Sequence, residues 1–110
     1  MKLPNGKHAY LGDKLEAYSL SFQHREGRHK ARVFSSALGI TLANADLLRT
    51  AVQEAASDSD AALAHGENGF GQIFTLNFPL ATAAGKANVL TAWIVLHDEA
   101  FPRLTICYIP

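Results

Sequence analysis

The spacing of apolar residues divides this chain into a helical first half and a strand-forming second half. After an Asn5-Gly6 turn signal, Ala9-Tyr10-Leu11 reads as a short edge strand. Leu11, Leu15, Tyr18 and Phe22 then recur at helical intervals, which predicts a first helix with those side chains facing the core. Asp13 is placed to cap it, because its carboxylate can accept the unpaired N–H groups of a first turn. Gly27 breaks the pattern. A second helix is expected over about His29 to Leu38, with Val33, Phe34, Ala37 and Leu38 as its apolar set. Gly39 ends it, since the residue after a helix often takes the left-handed conformation that glycine adopts cheaply. Asn44 opens a third helix that turns Leu47, Leu48, Ala51, Val52 and Ala55 inward. Its Asp46 lies in the first turn, where negative charge complements the helix dipole.

From Ser57 to Gly71 the chain is polar and rich in turn formers, and it reads as a long connection that is either mobile or functional. Beyond it the period becomes two. Phe74, Leu76 and Phe78 alternate with Thr75 and Asn77, the pattern of a half-buried strand that Pro79 ends. Ala84-Gly85-Lys86 turns the chain back. The next strand, Asn88 to Leu96, is apolar on both faces, with Val89, Trp93 and Val95 on one and Leu90, Ala92, Ile94 and Leu96 on the other. Such a strand wants both faces covered and belongs in the middle of the sheet. A last strand over Arg103 to Ile109 places Leu104, Ile106 and Tyr108 on one face and Arg103, Thr105 and Cys107 on the other. About three helices followed by a three- to four-stranded antiparallel meander make one α+β domain over residues 1–110. Leu90, Ile94 and Leu96 on the second face call for a partner, which a homodimer or a ligand groove would supply.

Composition narrows the class. At 110 residues and 48% apolar content the chain can bury roughly 65% of its unfolded surface and hold a core unaided. No apolar run reaches the length of a membrane span. The stretch after Met1 lacks the hydrophobic segment of a secretory signal, and Cys107 is the single cysteine, so a reducing cytoplasm is the expected compartment. The zero net charge hides an asymmetry. Residues 1–39 hold seven lysines and arginines against three acids, a balance of +4, and residues 40–110 hold three against seven, a balance of −4. The two blocks either attract each other within the fold or face outside partners.

The densest chemistry lies in His24-Arg25-Glu26-Gly27-Arg28-His29-Lys30-Ala31-Arg32, with four fixed cations and two imidazoles in nine residues. Cations in a first helical turn oppose the dipole by roughly 0.3–1 kcal/mol each, and a bound anion reverses that sign because backbone N–H groups and basic side chains then point at negative charge. His24, Arg28, Lys30 and Arg32 are therefore the candidate anion-binding residues, with phosphate the commonest biological anion. Imidazoles beside cations also suit metal-free phosphodiester cleavage, in which one group takes the 2′-hydroxyl proton, another protonates the leaving oxygen, and cations stabilise the phosphorane. The alternatives for this cluster are a solvated basic face that Glu26 partly neutralises, and a non-catalytic interaction module that meets an acidic protein partner. Neither Asp58 with Asp60 nor His97 with Asp98 has the spacing of a metal loop, and the glycines from Gly66 to Gly71 lack the Lys-Ser/Thr of a phosphate-binding loop. No metal or cofactor is expected. Cys107 and Trp93 both read as core residues of their strands.

Three segments in order resemble a small bacterial family: Leu3-Pro4-Asn5-Gly6; Gly27-Arg28-His29-Lys30-Ala31-Arg32-Val33-Phe34 with Leu38-Gly39; and Ala92-Trp93-Ile94-Val95 with Phe101-Pro102-Arg103-Leu104-Thr105. That family is a domain of unknown function found alone, in phage-related proteins and at the C-termini of large secreted toxins. Its toxin setting and its helices-then-meander order are similar to the barnase–EndoU–colicin–RelE group of metal-free ribonucleases. The resemblance implies an RNA-binding face lined by Lys30, Arg32, Thr91 and Arg103, with His29 as acid or base. It also implies RNA or another phosphate-bearing ligand, and an immunity-like protein partner.

Overall fold

A computed structural model describes all 110 residues, Met1–Pro110. Its elements are a π-helical turn (Leu15–Ser19), α1 (Arg28–Leu38), α2 (Ala45–Asp58), and strands β1 (Leu63–Glu67), β2 (Gly71–Thr82), β3 (Gly85–Leu96) and β4 (Arg103–Tyr108). The strands form one antiparallel sheet in the order β1-β2-β3-β4. Both helices lie on one face of it. Phe34 and Leu38 of α1 and Leu48, Val52 and Ala56 of α2 pack with Phe74, Leu76, Val89, Trp93 and Leu104 of the sheet. The α+β class, the two long helices and the meander follow the expectation from sequence. Gly39, at φ 65°, donates its N–H back into the last turn of α1, the role its position gave it. The strand expected at Ala9–Leu11 survives as a single parallel bridge between Tyr10 and Arg103.

The first helix does not form as read. Leu20 donates its N–H to the carbonyl of Leu15 at 2.8 Å, a five-residue step that widens the turn. Leu15 and Leu20 both enter the core, whereas Tyr18 and Phe22 face outward, with 39% and 48% of their surface exposed. Arg49 of α2 fastens this turn, donating to both carboxylate oxygens of Glu16 at 2.7 and 2.8 Å and to the Gly12 carbonyl at 2.8 Å. On α1 the buried residues are Ala31, Phe34 and Leu38, and Val33 is turned outward. On α2, Leu47 is exposed and Ala56 takes its place in the core.

The long connection is shorter than it reads, because Leu63–Glu67 is an edge strand. All five of its residues are exposed, so no alternation betrays it. Asn68 closes the hairpin by accepting the N–H groups of Phe70 and Gly71 through its side-chain oxygen, and Gly66, at φ 84°, sits in the bulge that shifts the register between Ala64 and Glu67. Pro79 does not end β2, which continues to Thr82. β1 covers β2 only as far as Thr75, so Pro79 lies where β2 is an open edge and no ladder partner is lost.

The faces of β3 are as expected, with Val89, Thr91 and Trp93 against the helices and Leu90, Ala92, Ile94 and Leu96 half-buried on the other side. Those of β4 change midway. Ala92 pairs with Ile106 but Trp93 pairs with Leu104, leaving Thr105 as an extra residue. This bulge turns Cys107 into the core and puts Ile106 and Tyr108 on the outer face with Arg103. They flank the half-buried apolar residues of β3 there. No helix is long and apolar enough to cross a membrane.

Candidate functional site

The approach to α1 is built by His24 and Gly27. His24 accepts the N–H groups of Glu26 and Gly27 on its Nδ1, at 3.1 and 3.0 Å, and its ring lies 4.3 Å from that of Tyr18. That lone pair is committed to the turn, so the neutral ring carries its hydrogen on Nε2. Of the four residues expected to bind an anion, His24 therefore acts as a backbone brace. Gly27 backs onto the π-helical turn so closely that a Cβ would overlap the carbonyl of Tyr18.

The first turn of α1 contains no acidic residue and has no side-chain cap. The N–H groups of His29 and Lys30 find no acceptor within the protein. Arg28, His29 and Arg32 are exposed. Lys30 lies half-buried on the other flank of the helix, its ammonium 5.8 Å from the centre of the Tyr108 ring. At about 100° per residue, Lys30 and Arg32 are about 200° apart and do not face one another. The helix thus splits the expected cation set into an outward pair, Arg28 and Arg32, and an inward Lys30.

Lys30 opens into a cleft of about 190 Å³ between the π-helical turn and the edge of β4, lined also by Lys14, Tyr18, Ser19, Glu26 and Thr105. Lys14 holds its ammonium 4.8 Å from the centre of the Tyr18 ring. Neither lysine has a carboxylate within ion-pair distance; the chain's three ion pairs are Arg49–Glu16, His97–Glu67 and Arg103–Glu99. Ser19 is buried and donates to the Cys107 carbonyl at 2.6 Å, which ties the turn to β4. A second hollow of about 220 Å³, with Tyr10 and Arg103 in its wall, adjoins the first and shares Lys14 and Thr105 with it. Lys14 and Tyr18 were not legible as site residues. Helical periodicity places Tyr18 in the core, and only the π-helical turn brings it to the cleft.

Thr91 and Arg103 do not join this arrangement. Thr91 is wholly buried under the helices, donating to the Leu76 carbonyl and accepting from Trp93 Nε1, each at 2.8 Å. It anchors the tryptophan and cannot line a binding face. Arg103 spends its guanidinium on Glu99 through two 2.6 Å bonds and lies over the rings of Tyr10 and Phe101. That bonding holds the Glu99 carboxyl below its ordinary range and raises Arg103. Arg103 opens β4 and Tyr108 closes it, so Arg103 and the Lys30 contact are separated by roughly 17 Å of strand.

Burial pushes the Cys107 thiol up to about 12. Only the thiolate is a nucleophile, so iodoacetamide at pH 8 should leave Cys107 unmodified in the folded protein and alkylate it in denaturant. Rapid modification without denaturant would contradict the packing of β4.

Comparison with curated proteins finds no match for the chain. A family model does match, across the π-helical turn, both helices and the whole sheet: over residues 2–110 the chain belongs to the domain of unknown function family DUF6883.

Proposed function

We propose that this domain recognises a phosphate-bearing ligand around the first turn of α1. The observation that carries the reading is the pair Lys14 and Lys30, which approach one cleft from separate elements with tyrosine faces and no ion-pair partner beside them. Glu26 on the rim offsets part of that charge. Two ammonium groups can grip a single phosphate, and each charged hydrogen bond contributes on the order of 1.5–3 kcal/mol. Arg28, His29 and Arg32, on the outward side, extend the positive surface along the helix, where further phosphates of a strand would lie.

RNA is the ligand class we favour, in keeping with the resemblance to metal-free ribonucleases, a toxin-like ancestry and an immunity-like protein partner. If the bound strand is cut, His29 is the available base for the 2′-hydroxyl proton, since it is exposed beside Arg28 and Arg32 while His24 is committed to the turn, and solvent water protonates the leaving oxygen. Such cleavage would need no metal and would leave a cyclic phosphate.

The test is fluorescence anisotropy with a short single-stranded RNA, with pyrophosphate as competitor. Lys14→Ala with Lys30→Ala should weaken binding by at least about 150-fold, as loss of two charged hydrogen bonds of about 1.5 kcal/mol or more each implies. Arg28→Ala with Arg32→Ala should instead flatten the salt dependence by about 1.4 in the logarithmic slope, 0.7 for each phosphate contact. Equal affinity in wild type and the lysine double variant would overturn the cleft as the site. Binding of an acidic protein with none of RNA would favour a non-catalytic interaction module.

A further inference from the structure

The two charge blocks of the sequence emerge in the structure as two helix faces of opposite sign. On α1, Arg28, His29 and Arg32 are exposed around Val33, which leaves 40% of its surface in water. On α2, Asp46, Glu54 and Asp58 are exposed around Leu47, 53% in water, and the half-buried Ala51. Two hollows of about 370 and 420 Å³ meet at Ala51 and Glu54. The second extends to Phe78, Pro79 and Leu80 on the open edge of β2, and no lysine or arginine lines either. The α2 face is therefore an apolar groove with an acidic border, and the α1 face is an apolar spot with a basic border.

These charges are not spent inside the fold. No cation of α1 and none of Asp46, Glu54 and Asp58 takes part in an ion pair. The one ion pair that links the two halves runs the opposite way, from Arg49 in the acidic half to Glu16 in the basic half. No direct ion pair between α1 and the acids of α2 accounts for the charge split. Both helices cover the same face of the sheet, and their residues opposite the core, His29 and Val33 on α1 and Leu47 and Glu54 on α2, look away from it.

We propose that a second copy of this chain occupies the α2 groove, presenting its α1. Rotation by a two-fold axis between the helix layers sets α1 of each copy on α2 of the other, so one contact is made twice and the assembly closes. Val33 meets Leu47 and Ala51, while Arg28 and Arg32 meet Glu54 and Asp58. Arginine suits such contacts because its planar fork binds carboxylates in bidentate geometry. The contact uses the helical face and leaves the outer face of the sheet free. It also engages Arg28 and Arg32, so the dimer and an RNA strand compete for them, whereas the Lys14–Lys30 cleft belongs to the ligand alone.

Sedimentation velocity on the whole chain tests this. The wild type should be a dimer at about 20 mM salt and shift towards monomer near 1 M, where charges are screened beyond about 3 Å. Arg28→Glu with Arg32→Glu should be monomeric at low salt, and so should Glu54→Lys with Asp58→Lys. Mixing these two variants should restore a dimer holding one of each, with circular dichroism verifying that both are folded. A wild type that stays monomeric at high concentration and low salt would overturn the proposal, as would a mixture that stays monomeric. The Glu54→Lys, Asp58→Lys variant should still bind pyrophosphate with wild-type affinity, so failure of the phosphate reading and failure of the dimer are separate outcomes.

Discussion

Trp93→Ala should cost about 3–5 kcal/mol, the range for removing a buried large aromatic side chain. A domain of this size has only about 5–15 kcal/mol of stability in total, so the variant should be largely unfolded at moderate denaturant and marginal in water. Trp93 has no exposed surface and lies at the centre of the face that receives both helices. Its loss leaves a cavity between α1 and the sheet, and it also strips Thr91 Oγ1 of the N–H it accepts. Trp93→Phe keeps most of the volume and removes that bond, and should cost less than half as much. Urea unfolding of the two variants measures the difference. An alanine variant within about 1 kcal/mol of wild type would mean that the tryptophan is not the keystone of the core.

Gly27→Ala should be the second large effect, and the one that reaches the site. The added methyl would overlap the Tyr18 carbonyl, which is backbone and cannot swing aside like a flexible side chain. Overpacking of this kind typically costs 1–3 kcal/mol, and we expect at least about 2 here because α1 must move away from the π-helical turn. That movement separates Lys30 from Lys14 and should weaken phosphate binding even in the fraction that remains folded. Gly69→Ala is the control, since a Cβ there meets nothing within 4 Å. It should leave both stability and binding unchanged. Thermal unfolding with binding at a temperature where each variant is folded separates the two effects. Full-affinity binding by a folded Gly27→Ala protein would show that the spacing of the two elements does not build the site.

Where one local signal governs the outcome, the sequence is readable. Phe34 and Leu38 before Gly39 define α1, and Phe74, Leu76 and Phe78 define the buried side of β2, because burial and periodicity agree there. The failures come where tertiary contacts override the local period. Tyr18 and Phe22 look like core residues, but the five-residue bond from Leu20 to Leu15 spends the core positions on those leucines instead. β1 carries no alternation because both of its faces meet water. One bulged residue, Thr105, reverses the facing of everything after it in β4.

The candidate site divides along the same line. Its α1 residues are neighbours in the chain, so their clustering is visible without a fold, and the helical spacing alone sets Lys30 and Arg32 on opposite flanks. Lys14 joins through packing of the π-helical turn, where the periodicity alone predicts an ordinary helix. Thr91 and Arg103 were assigned by resemblance, and each is claimed by a partner that no motif reveals: the Trp93 indole for one, the Glu99 carboxylate for the other.

The most direct test of phosphate recognition at this cleft is an NMR titration of the wild-type protein with pyrophosphate, following backbone amides and the lysine side-chain signals together. The account predicts saturable shifts centred on the side chains of Lys14 and Lys30 and on the amides of His29 and Lys30, the two N–H groups without a partner in the fold. Leu90 and Leu96, on the outer face of β3 and away from the cleft, should stay still. Shifts that scatter over all lysines without saturating, or that centre on Arg103 and leave Lys14 and Lys30 unmoved, would contradict it.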